Sequence, residues 1–75
     1  MIKVNLNTNY ERKTLIVDEA TTIRQFLEDN GVDYSVTMQA LDGAPLVAGD
    51  FDKSFAEYGI ADHCSLNAVT KQVNA

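Results

Sequence analysis

Residues 15–31 read LIVDEATTIRQFLEDNG, and the change of period inside this stretch decides the fold. Leu15, Ile16 and Val17 continue the β-branched and apolar character that starts at Lys13, as a strand requires. Thr22 and Gln25 then have the spacing of a capping box, in which the hydroxyl and the amide each satisfy a backbone group left unpaired at a helix start. Ile23, Phe26 and Leu27 recur at i, i+3 and i+4, while Arg24, Gln25, Glu28 and Asp29 point outward until Asn30 and Gly31 stop the helix. A strand thus hands over to a helix whose single apolar stripe must cover a sheet.

Working outward, Ile2, Val4 and Leu6 alternate with Lys3, Asn5 and Asn7, the period-two pattern of a strand over 2–6 with one buried face. Asn7, Thr8 and Asn9 supply a turn, so the strands at 2–6 and 13–17 form a hairpin. Beyond the helix, Val36, Met38 and Ala40 alternate with Thr37 and Gln39 in a third strand over 36–40, with Thr37 and Gln39 expected on the exposed face. Leu41, Asp42 and Gly43 provide the turn into a short strand at 45–47, confined to the sheet edge because Pro45 cannot donate to a ladder. Residues 48–63 hold Phe51, Phe55, Tyr58 and Ile60, too many large apolar groups for a solvated linker, and read as a structured crossover. A fifth strand over 64–71 sets Leu66 and Ala68 on one face and Asn67 and Val69 on the other. The order is ββαββ, a crossover, then β, which is an α+β fold with one helix packed across a mixed five-stranded sheet.

Seventy-five residues that are 45% hydrophobic fit one domain over 1–75, with 70–75 as a flexible tail. A single cysteine excludes an intramolecular disulfide, and the alternating N-terminus lacks the apolar run of a signal peptide, so a cytoplasmic location is expected. Apolar runs of a few residues fall far below the roughly 20 that cross a bilayer. Eleven acidic against six basic residues give a net charge of −5, which repels nucleic acid and anionic membranes and matches a partner protein with a basic surface.

Local sequence adds a family resemblance. The run from Leu15 to Ile23 resembles the second strand, acidic turn and capped helix start of ubiquitin, and Ser54 to Ile60 resembles its short turn before the last strand. Thr22 to Leu27 and the turn at Ala40, Leu41, Asp42 and Gly43 are also similar to the sulfur carriers of thiamine and molybdopterin synthesis. The resemblance implies a ubiquitin-like β-grasp fold. Both families act through a C-terminal Gly-Gly that an adenylating enzyme activates, whereas this sequence reads Lys71, Gln72, Val73, Asn74, Ala75. That departure argues against conjugation or carrier chemistry, which would fall on Asn74 and Ala75. Ubiquitin also recruits partners through an apolar patch on its sheet. Of that patch Val69 matches the fifth-strand member and Leu41 or Ala40 lies near the third-strand member, while Thr8 and Asn9 in the first hairpin loop are polar.

No residue pattern points to catalysis, a cofactor or a metal. Cys64 has no neighbouring base except His63, which an extended chain turns to the opposite face, so it reads as a buried structural thiol. His63 lacks the companions of a metal site and reads as solvated. Asp42, Asp50, Asp52, Glu57 and Asp62 lack the spacing of a calcium loop and read as turn formers. The resulting expectation is a non-catalytic interaction module whose docking surface includes Thr14, Thr37, Gln39, Leu41, Asn67 and Val69. The alternative is a divergent protein modifier or sulfur carrier, activated at Ala75 by a cognate adenylating enzyme.

Overall fold

Ile2, Val4 and Leu6 are buried on one side of a strand, as their alternation requires, and the rest of the chain is arranged to cover them. The computed structural model describes residues 1–70. Strand β1 (Ile2–Thr8) pairs antiparallel with β2 (Arg12–Val17), and helix α1 (Ile23–Asp29) follows. Then come β3 (Thr37–Leu41), the two-residue β4 (Ala44–Pro45) and β5 (His63–Thr70). The sheet order is β2-β1-β5-β3-β4, with β5 parallel to β1 and antiparallel to β3. Pro45 does lie on an edge strand, which stops at that residue. Asn74 and Ala75, and the expected tail from Lys71 onward, lie outside the described residues.

The helix buries Ile23, Phe26 and Leu27 against the sheet. Thr22 caps it, its hydroxyl accepting from the Gln25 amide at 3.2 Å, but the glutamine arm of the expected capping box is absent. Gln25 Nε2 donates instead to Asp29 Oδ1 at 2.7 Å, one turn on. The remaining donors at the helix start are satisfied by the crossover. Ile23 N–H donates to the Lys53 carbonyl at 3.0 Å and Arg24 N–H to the Phe51 carbonyl at 2.9 Å. In return, Phe55 N–H reaches the Thr21 carbonyl at 3.2 Å and Ala56 N–H the Glu19 carbonyl at 2.9 Å. These bonds seat Phe55 beneath the helix, edge-on to Phe26 at 5.5 Å between ring centroids, and Phe51 edge-on to Tyr34 at 5.0 Å. The crossover is structured, as its aromatic content requires.

One strand departs from expectation. In β3 the alternation is inverted: Met38 is 61% exposed, while Gln39 and Leu41 are 7% and 5% exposed. The cause is pairing with β5. Leu41 lies opposite Leu66, which must face the helix, and the period of two then turns Gln39 inward opposite the small Ala68. The Gln39 amide is not left unpaired there. Its Nε2 donates to the Thr37 carbonyl at 2.9 Å, to the Tyr34 carbonyl at 3.3 Å and to Thr37 Oγ1. Gln39 thus serves main-chain acceptors beside a stretch of β3 that the short β4 does not reach.

Candidate functional site

Among the described residues nothing packs over the face of the sheet turned away from α1. By register, one row across it runs Arg12, Asn7, Asn67, Ala40, Pro45. Next to that row Met38 pairs with Val69, which is 43% exposed. The face therefore has two halves. On the β3 side Met38, Val69 and Ala40 form an apolar area, continued past the end of β4 by the exposed Val47. On the β1–β2 side two polar pairs satisfy each other, Asn7 Nδ2 donating to Asn67 Oδ1 at 2.8 Å and Thr14 Oγ1 to Asn5 Oδ1 at 2.8 Å, and the exposed Ile16 stands beside them, opposite Lys3.

The sequence-derived docking residues divide between the two sides of the sheet. Thr14, Asn67 and Val69 are on the open face. Thr37, Gln39 and Leu41 are on the helix side, and Gln39 and Leu41 are buried in the core, so neither presents a side chain to a partner. Thr37 is half-buried, its hydroxyl donating to the Asp33 carbonyl at 3.0 Å. Met38, Ala40, Asn5 and Asn7 take their places. The signal that could have found them is the bulk of Leu41 beside the Asp42–Gly43 turn, which is a better anchor for the strand's phase than the small Ala40.

Other reactive groups stay apart. The Cys64 thiol is buried, and desolvation together with the nearby Asp42 carboxylate pushes it up to about 11. Exposed His63, opposite Lys3 at the start of β5, has its Nδ1 3.4 Å from Asp62 Oδ2. Among the described residues no group of three or more His, Cys, Asp or Glu gathers as a metal site would. A cleft of about 410 Å³ between the first hairpin and the chain after α1 is lined by Tyr10, Asp33, Val36 and Thr70 among others, and a groove of about 400 Å³ runs past Met38, Pro45 and Val47. No helix among the described residues is long and apolar enough to cross a membrane.

No protein-family model and no curated protein matches the sequence. Solved structures do match the fold. A ubiquitin-like domain of an Arabidopsis thaliana protein superposes with a TM-score of 0.74 over 99% of this chain and 81% of that one, at 20% identity. The fold is the ubiquitin-like β-grasp. A ubiquitin from Caldiarchaeum subterraneum matches over 99% of this chain and 98% of its own, with a TM-score of 0.69 and 15% identity. A chain in a xenon-pressurized crystal of phenol hydroxylase from Pseudomonas sp. OX1 matches with a TM-score of 0.73 and 16% identity, over 97% of this chain and 75% of that one. In the β-grasp of this protein the bare side of the sheet is the side opposite the helix.

Proposed function

We propose that this β-grasp chain is a single-domain, non-catalytic protein interaction module of the cytoplasm, which docks its partner on the open face of the sheet. The observation that carries the reading is the Met38–Val69 pair, two large apolar side chains left exposed side by side on a rigid sheet. Apolar area held on a regular scaffold binds without the entropy loss of ordering a loop. The likeness in fold to a ubiquitin-like domain and to a ubiquitin supports a module read by other proteins. The reading as a modifier or sulfur carrier would act through Asn74 and Ala75, outside the described residues, and no observation on the folded part favours it.

Affinity capture from the native host tests the proposal, with wild type compared against Met38→Asp and Val69→Asp. Both positions are on the open face, and the melting of both variants is compared with wild type so that loss of fold is not read as loss of binding. The expected result is that the same protein is recovered by wild type and lost with both variants. Recovery that is equal in all three would place the contact elsewhere.

A further inference from the structure

We infer that the segment this face receives is acidic as well as apolar, although the protein itself is acidic; the inference rests on the docking reading above. No strand contains an aspartate or a glutamate, so all eleven carboxylates lie in the helix and the loops. Among the described residues the open face carries two full charges, Lys3 and Arg12, and both are cationic. Among the described residues neither is held in an ion pair. The carboxylates nearest the rims of the face are already engaged. Glu11 pairs with Lys13 at 3.4 Å, Asp42 accepts from the Ser65 amide at 2.8 Å, and Asp18 accepts from the Ala20 amide at 2.9 Å. Net charge alone points to a basic partner, but a docking surface is matched by its local charge.

The layout also orders the ligand. Arg12 and Pro45 are at opposite ends of one row, so the cation lies roughly 14 Å, or three strand spacings, from the apolar groups on β3. A segment that covers Met38 and Val69 with apolar side chains and brings carboxylates to Lys3 and Arg12, on either side of the exposed Ile16, satisfies both halves. A basic segment would set its lysines against Lys3 and Arg12 with no carboxylate on the face to receive them.

The test uses two short synthetic peptides of one apolar pattern, with glutamate at the polar positions of the first and lysine at those of the second. Each is titrated into the isotope-labelled full chain and followed by amide chemical shifts. The expected result is that the glutamate peptide moves the amides of Lys3, Asn7, Arg12, Met38 and Val69, and that Lys3→Glu combined with Arg12→Glu weakens it by roughly tenfold. The helix-side control Glu28→Lys should leave it unchanged. A lysine peptide that binds the same amides as tightly overturns the inference while the docking reading stands. If neither peptide moves these amides the inference fails, and the docking reading is then judged by the capture experiment. An equal response to a short single-stranded oligonucleotide overturns it as well.

Discussion

Gln39 and Ala68 face each other across the β3–β5 ladder, and the small size of the alanine admits the one buried polar side chain found among the described residues. Because the amide of Gln39 serves the Tyr34 and Thr37 carbonyls, β3 can keep the phase that Leu41 opposite Leu66 imposes on it. Gln39→Ala should remove both the packing and the donors, at a cost of about 1–3 kcal/mol. Urea unfolding should show the midpoint lowered with the slope unchanged. A midpoint equal to wild type would mean that solvent already serves those carbonyls.

The helix start offers a second comparison. Thr22→Ala removes the hydroxyl that accepts from Gln25 N–H and should cost about 1 kcal/mol. Gln25→Ala removes only an exposed bond to Asp29, for which a few tenths of a kcal/mol is expected. Thermal melts of the two variants should therefore separate, whereas a working capping box would make both costly.

Cys64 predicts an alkaline limit to stability. Its thiol is raised from 9.0 to about 11 in the folded protein, so the native state holds the proton more tightly than the unfolded chain does. The contribution is complete below the unfolded value and is lost as pH rises through the folded one. Stability should fall between pH 9.0 and about 11 for wild type, and less steeply for Cys64→Ala. A thiol reagent at mild alkaline pH should leave the native protein unmodified and label it in urea.

Asp50 sets a limit at the acid end. Its carboxylate accepts from the Val47 amide at 3.0 Å, and this bond holds its pKa below the usual 3.8. Stability from this group is present above the unfolded value and is lost as pH falls through the lower folded value. Asp50→Asn should flatten the acid limb of a melting series against pH. An unchanged limb would show that the carboxylate does not hold the turn at Ala48–Asp50.

How much of this was legible in the sequence depends on where each decision is made. The bounds of α1 were readable because Thr22 and Asn30 act on backbone groups within one turn. The alternations in β1 and β5 were readable because their apolar sets are unambiguous, and the burial of Phe51 and Phe55 followed from bulk alone. The phase of β3 was not. Val36, Met38 and Ala40 compete with Leu41 for the inner face, and the outcome is settled by Leu66, far along the chain. Half of the docking residues moved with that one choice. The segregation of charge was equally hidden, because it shows only after the strands are separated from the loops.

The placement of β5 has a consequence for how the protein is made. The strand synthesised last of the five occupies the middle of the sheet, where Lys3 of β1 meets His63 and Thr37 of β3 meets Thr70. Until it leaves the ribosome, the β1–β2 hairpin and β3 share no edge and the helix has only half a surface to lie on. Closure then requires contacts between residues some 60 positions apart, such as Asn7 with Asn67, which makes folding slow for so short a chain. A nascent chain stalled before His63 would lack β5 and leave Val4 and Leu6 without the strand that flanks them, so the interval between synthesis and folding is when the core is most open to chaperones and proteases.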